Sequence, residues 1–190
     1  MRRKSTHSHA RRAIKVEDMS KDLYESVKSC VAVVWAGNSS GSGFVAKMGN
    51  RKYLFTNEHV ARGGSPFRAM TRDGRELKFK SFEVAENDDL VRMEIADDAC
   101  DALDILTSDP QRNERIFIFG NSDGADVVTH EQGYIRALGP ERLEHTAKTV
   151  EGNSGSAVLN DSGEVVGVDT YAICHKDPIA PAMNYCESAA

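Results

Sequence analysis

The apolar positions change period once along the chain. Val16, Met19, Leu23 and Val27 recur at helical spacing, with acids in the first turn, so residues 16–29 read as one short helix. From Cys30 onward the apolar runs are short and broken by turn residues. Strands are expected at Val31–Ala36, Gly43–Lys47, Tyr53–Thr56, Phe67–Thr71, Glu76–Val84 and Leu90–Ile95. Gly37-Asn38-Ser39-Ser40-Gly41, Gly49-Asn50, Gly63-Gly64 and Asp73-Gly74 mark the turns between them. An acidic, polar stretch with Pro110 then reads as a connector. A second strand set follows at Arg115–Phe119, Val127–Thr129, Tyr134–Leu138, Leu143–Thr149, Ser156–Leu159, Val165–Tyr171 and Ala182–Cys186.

Many short strands with few helices predict an all-β protein. Roughly equal strand sets on either side of a connector predict two packed six-stranded antiparallel β-barrels with a short N-terminal helix. The expected division is a basic, disordered tail at 1–15, the helix at 16–29, a first barrel at 30–96, a connector at 97–114 and a second barrel at 115–190. No internal repeat is visible.

Composition narrows the function classes. The chain has 190 residues, 40% hydrophobic and 28% charged, as in a globular domain. Its longest purely apolar run is Val31 to Ala36, far short of the ~20 residues that span a bilayer. Membrane insertion is therefore not expected. The first 30 residues contain no apolar core of a secretory signal, which predicts a cytoplasmic address; organelle targeting by the basic, acid-free tail is the alternative. That tail carries Arg2, Arg3, Lys4, Arg11, Arg12 and Lys15, and leaves the rest of the chain with 18 basic against 29 acidic residues. An acidic body argues against broad nucleic-acid binding, so any polyanion contact is confined to residues 1–15. Cys30, Cys100, Cys174 and Cys186 contain no CxxC pair, so neither a zinc site nor a thioredoxin-type site is expected. Only Cys174 and Cys186 are near enough in sequence to suggest a local bridge.

Three segments could carry chemistry. In Gly152-Asn153-Ser154-Gly155-Ser156, glycines flank a serine, which lets the backbone take a tight turn that exposes a hydroxyl and aims N–H groups outward. The alternative is a plain polar turn. In Leu54-Phe55-Thr56-Asn57-Glu58-His59-Val60, an apolar strand runs into a histidine, which can serve as a general base near neutral pH. In Asn87-Asp88-Asp89-Leu90-Val91, an acid opens an apolar strand and could hold an imidazole by its second nitrogen. The order His, Asp, Ser is one of the chain orders of a catalytic triad. His7, His9, His130, His145 and His175 have less telling settings.

These segments resemble, in order, those of chymotrypsin-fold (trypsin-like) serine proteases, closest in texture to the protease domains of HtrA-type enzymes and glutamyl endopeptidases. Gly41-Ser42-Gly43-Phe44-Val45 with Tyr53 to Val60 resembles the histidine block, and Asp89 to Ile95 the aspartate strand. Ile116 to Asn121, Gly133 to Gly139, and Glu151 to Val158 with Gly163 to Gly167 resemble three blocks of the second barrel, and Met183-Asn184-Tyr185 its final strand. The resemblance covers residues 25–187. Ser156 replaces a glycine common after the nucleophile, and Arg92 and Glu94 make the aspartate strand polar. Asp88 competes for the register, and Asp89 is chosen because Leu90-Val91 follows it directly.

The resemblance implies His59, Asp89 and Ser154 as catalytic triad, with the N–H groups of Gly152 and Ser154 as oxyanion hole. It implies no metal and no cofactor. Asn153 stands where proteases activated by cleavage keep an Asp, so trypsin-style zymogen activation is not expected. Lys148 and Thr149 would line the pocket for the residue before the scissile bond (P1). Asp169, Thr170, Tyr171 and Ala172 would lie on the strand that pairs with an extended protein or peptide substrate. Lys148 would favour an acidic P1 side chain; Asp169 would neutralise Lys148 or favour a basic P1; or both charges face solvent. These alternatives stay open. The chain leaves no room after the barrel for a PDZ domain, so an activating partner protein would take over its regulation. A catalytically silent binding module is the competing reading, and a protease whose tail binds nucleic acid is a third.

Overall fold

The computed structural model describes residues 16–97, 100–173 and 183–188. Helix α1 (Val16–Val27) leads into β1 (Val31–Ala36), β2 (Ser39–Met48) and β3 (Arg51–Thr56). The one-turn α2 (Glu58–Ala61), β4 (Phe67–Thr71), β5 (Glu83–Val84) and β6 (Val91–Glu94) complete the first half. The second half holds β7 (Arg115–Gly120), β8 (Thr129–Leu138), β9 (Arg142–His145), β10 (Ala157–Leu159), β11 (Val165–Ile173) and β12 (Met183–Ser188). The early strands form one six-stranded sheet in the order β4-β1-β2-β3-β6-β5, and the later six close into a barrel in the order β10-β11-β12-β9-β8-β7.

Each half departs from the strands expected for it. Glu76–Val84 was expected as a strand, yet only Glu83–Val84 is laddered. Leu77 N–H bonds to Ala69 O on β4, and Lys80 N–H bonds to Glu94 O on β6. The segment changes partner within three residues, so neither ladder grows long enough to count as a strand. Its single bridges, Met70–Glu76 and Phe79–Ile95, still draw the sheet's two sides together into a roll. Of the expected strand Val127–Thr129 only Thr129 is in a strand; it opens one long β8 that also contains the expected Tyr134–Leu138.

Alternation along the strands explains the packing. On β1, Ala32 and Val34 point into the first core, with Val45, Leu54, Val91 and Met93. Val31 and Val33 point the other way and meet Phe117, Phe119, Leu159 and Val168 in a core shared by both halves. On β7, Ile116 and Ile118 fill the closed barrel with Ile135, Leu143 and Val166. Both faces of these strands are buried, which is why they read as nearly unbroken apolar runs. The connector is stitched to both halves through Leu103 against Ala46 and Ile105 against Val165. These contacts hold the halves together along one seam.

Cys30 and Cys100 are buried free thiols. Burial pushes Cys30 up to about 11 and also raises Cys100. The thiolate is the reactive form, so Cys30 is expected to resist iodoacetamide at pH 8 in the native protein and to react in denaturant. Peptide mapping of the alkylated protein checks this. The Cys174–Cys186 bridge involves Cys174, which lies outside the described residues, as do residues 1–15.

Candidate active site

β3 delivers the histidine. Its last residue, Thr56, is buried and donates its hydroxyl to Ser42 O at 2.7 Å. The chain then turns into α2 through the fully buried Asn57. Asn57 Nδ2 donates to Asp89 O at 2.7 Å and to Thr170 Oγ1 at 3.3 Å. One amide thus ties the histidine turn to the aspartate and to β11. Asp89 grips His59 twice. Its Oδ1 accepts the His59 backbone N–H at 2.8 Å, and its Oδ2 bonds His59 Nδ1. Asp89, not its neighbour Asp88, makes these contacts. With Nδ1 held by a carboxylate, the proton sits on Nδ1 and leaves Nε2 as the free base.

The serine turn is held by its carbonyls. Gly152 adopts φ +90° and Gly155 φ +86°, a region open to glycine and strained for other residues. Five successive carbonyls are occupied. Val150 O accepts from Asn153 N–H at 3.1 Å, and Glu151 O from Asp123 N–H at 2.6 Å. Gly152 O accepts from Ser42 Oγ at 2.7 Å. Asn153 O and Ser154 O each accept at 2.9 Å, from Ser156 N–H and Ser42 N–H. Gly155 N–H bonds to Asp169 O at 2.8 Å. Between Gly152 and Ser156, the N–H groups of Gly152 and Ser154 are the two that bond to no described residue. That is the arrangement an oxyanion needs: preorganised donors with nothing else to bind.

Ser42 holds this turn from the other half. Its buried hydroxyl donates to Gly152 O and accepts from Asn121 N–H, both at 2.7 Å. Removing it orphans two buried backbone groups. Ser42→Ala is therefore expected to cost ~2 kcal/mol of stability and to lower kcat by loosening Gly152. Urea denaturation and steady-state kinetics check the two parts.

His59, Ser154 and Gly152 share a cleft of about 480 Å³, also lined by Val60, Asp123 and Glu151. The Ser154 hydroxyl points to Thr170 O at 3.4 Å, a long bond, and not to His59. Asn153 is buried, and its Oδ1 accepts from Ser122 Oγ at 2.9 Å. The position where an N-terminal amine would meet an Asp thus holds a neutral amide already in use.

The residues expected to contact substrate are placed unequally. Lys148 is exposed. Asp169 is fully buried, and its partner is His145 at 3.2 Å, not Lys148. Burial raises the Asp169 carboxyl, opposed by His145 and by the nearby Thr149 hydroxyl. Thr170 Oγ1 bonds Val168 O at 3.0 Å besides receiving Asn57. Tyr171 and Ala172 lie on β11 where it pairs with β12 opposite Tyr185 and Asn184. The β10 ladder on β11 reaches only Val168, so β11 outruns it toward the cleft. His145 escaped the sequence reading. The signal was the alternation Leu143-x-His145-x-Ala147, which puts a histidine on an inward apolar face. No group of three or more His, Cys, Asp or Glu able to hold a metal occurs among the described residues.

Known proteins are similar to this chain. A model of the trypsin-like peptidase domain matches residues 41–168, and the chain belongs to that family of serine proteases. It is 27% identical over 197 residues to the Serine protease Do-like HtrA of Bacillus subtilis, covering 86% of this chain and 44% of that protein. It is 30% identical over 141 residues to the Periplasmic pH-dependent serine endoprotease DegQ of Escherichia coli, covering 68% of this chain and 30% of the relative. The chain thus spans less than half the length of these relatives. Among solved structures, a serine endoprotease from Yersinia pestis superposes with a TM-score of 0.77 at 22% identity, covering 88% of this chain and 61% of that one. The HtrA-type protease AlgW with a tripeptide gives 0.74 at 24%, covering 89% and 59%. These two likenesses establish the chymotrypsin-like fold. No described helix is long and apolar enough to cross a membrane. The expected cytoplasmic address gains nothing here, since the Escherichia coli relative is periplasmic by name.

Proposed function

We propose that this chain is a serine endopeptidase working through His59, Asp89 and Ser154. The observation that carries the proposal is the pair of unbonded N–H groups at Gly152 and Ser154, on a serine turn that shares a cleft with an aspartate-held imidazole. In the reaction Ser154 Oγ gives up its long bond to Thr170 O and bonds His59 Nε2 across the shared cleft; loose catalytic hydrogen bonds are usual before substrate binds. Ser154 Oγ attacks the scissile carbonyl carbon while His59 Nε2 takes its proton. The carbonyl oxygen becomes the oxyanion and receives the Gly152 and Ser154 N–H bonds. The C–N bond then breaks, and His59 returns the proton to the leaving amine. Water, activated the same way, cleaves the acyl-enzyme ester and restores the serine. Asp89 keeps the imidazole oriented and stabilises its cation throughout.

The substrate is an extended peptide laid along the part of β11 that outruns β10, so that backbone pairing supplies affinity. Lys148 and Thr149 are the candidates for the P1 pocket, while Asp169 is sealed inside the barrel. Trypsin-style zymogen cleavage is not used, because Asn153 offers no carboxylate. A partner protein that steadies the 121–126 loop against Glu151 would raise activity. Digestion of unfolded casein tests the proposal: wild type cleaves it, with or without chelator, and Ser154→Ala and His59→Ala do not. Cleavage that survives Ser154→Ala overturns it, and a folded wild type that cleaves nothing favours the silent binding module.

A further inference from the structure

The loop between β7 and β8 packs against the serine turn. Asn121 and Val128, at its two ends, are buried, while residues 123–127 are exposed. Asp123 and Asp126 adopt φ +59° and +57°, the left-handed region that side chains enter at a cost, and Gly124 follows Asp123 at +61°. Such a conformation persists where its surroundings hold it. Part of the hold comes from the serine turn itself: Asp123 N–H donates to Glu151 O at 2.6 Å, and Ser122 Oγ to Asn153 Oδ1 at 2.9 Å. The rest comes from the other half of the molecule. Trp35 on β1 donates its indole N–H to Asp126 Oδ1 at 3.0 Å, across 91 positions of the chain. Alternation puts Trp35 on the face of β1 that Val31 and Val33 turn toward the second half.

What this loop holds is one peptide unit. The Glu151 carbonyl bound by Asp123 and the N–H of Gly152 belong to the same planar amide, so fixing the oxygen on one side aims the hydrogen on the other. The fit is close: a Cβ on Gly152 would stand 2.8 Å from Gly124 N. We propose that Trp35 and Asp126 are a positioning pair for the oxyanion hole. Their bond keeps the loop in the conformation in which Asp123 anchors the Glu151–Gly152 peptide and the Gly152 donor faces the oxyanion. The inference rests on the protease reading above. Neither Trp35 nor Asp126 touches the substrate or moves a proton. Without the tether the turn at Asp126 relaxes, Asp123 N–H leaves Glu151 O, and the peptide rotates its N–H out of place. Substrate pairing along β11 does not use that peptide, so the loss falls on kcat.

Peptide hydrolysis by the full chain, with active sites counted by fluorophosphonate titration, tests this. Trp35→Phe keeps a ring and removes the donor. It is expected to lower kcat per titrated site about tenfold, short of the ~10²–10³ for losing a donor outright, with KM changed less than about twofold. Asp126→Gly removes the acceptor and accepts the positive φ, so it is expected to match Trp35→Phe, and the double variant to fall no further. Asp126→Asn keeps an acceptor oxygen and tolerates the same φ, and is expected to hold kcat within about twofold of wild type. A merely structural contact would change the number of titratable sites and leave kcat per site alone. Asp126 is exposed, so its variants test the pair even where Trp35→Phe fails to fold. Unchanged kcat per site in Asp126→Gly, or an equal loss in Asp126→Asn, overturns the assignment while the protease reading stands. A folded wild type with no titratable site and no cleavage overturns the protease reading and this inference with it.

Discussion

Replacing Asp89 by Asn is expected to lower kcat/KM for peptide hydrolysis by about 10⁴-fold while the protein keeps its fold. The reason lies in which atoms Asp89 serves. Its Oδ1 accepts the His59 backbone N–H and its Oδ2 faces His59 Nδ1. The Asn carbonyl oxygen can replace the first contact, so the turn at α2 survives. The Asn amide then donates toward Nδ1, forcing that nitrogen to accept. The ring proton moves to Nε2, and the base that must take the Ser154 proton is gone. Asp89 and His59 are both partly exposed, so the exchange costs little stability. Asp88→Asn is the matched control, since Asp88 is not the residue that holds His59. A drop of less than tenfold in Asp89→Asn, or an equal drop in Asp88→Asn, would contradict the assignment.

Gly152→Ala is expected to lower kcat by about 10²–10³-fold, with a smaller change in KM, because it displaces one oxyanion donor from its place. Two constraints meet at this residue. Its φ of +90° disfavours any Cβ, and a Cβ built there overlaps the Asn121 carbonyl oxygen. The peptides on both sides of Gly152 must then move, breaking the bond of Asp123 N–H to Glu151 O and that of Ser42 Oγ to Gly152 O. Held strain of this kind costs about 1–3 kcal/mol, so a lower melting temperature accompanies the kinetic loss. Kinetics and thermal unfolding on the same preparation distinguish the two. Loss of stability with kcat unchanged would show that Gly152 only shapes the turn.

The sequence makes visible what depends on neighbours in the chain. Val31–Ala36 coincides with its strand because it is an apolar run ended by turn residues, and Phe67–Thr71 because turn residues bound it on both sides. The contact of Asp89 with His59, and the cleft that His59 shares with Ser154, could be anticipated because each residue lies inside an ordered block, and Asp89 was preferred to Asp88 for the apolar residues after it. What was not legible depends on tertiary pairing. Residues 76–80 alternate like a strand, but they divide their hydrogen bonds between β4 and β6. Asp169 looked like a candidate partner for Lys148, since no local pattern shows that the barrel buries one and exposes the other. His145 needed the closed barrel before its inward position had meaning. The Ser42 hydroxyl bridge to Gly152 crosses 110 positions of the chain and is invisible without the fold.

The most direct test of the account is labelling by a fluorophosphonate probe followed by mapping of the adduct. The reagent reacts only with a serine whose base and oxyanion donors are assembled together. Wild type is expected to label rapidly and stoichiometrically on Ser154, with labelling lost in Ser154→Ala and at least 10³-fold slower in His59→Ala, the order of loss when a triad member is removed. A folded wild type that takes up no probe, or an adduct that maps to another residue, would contradict it.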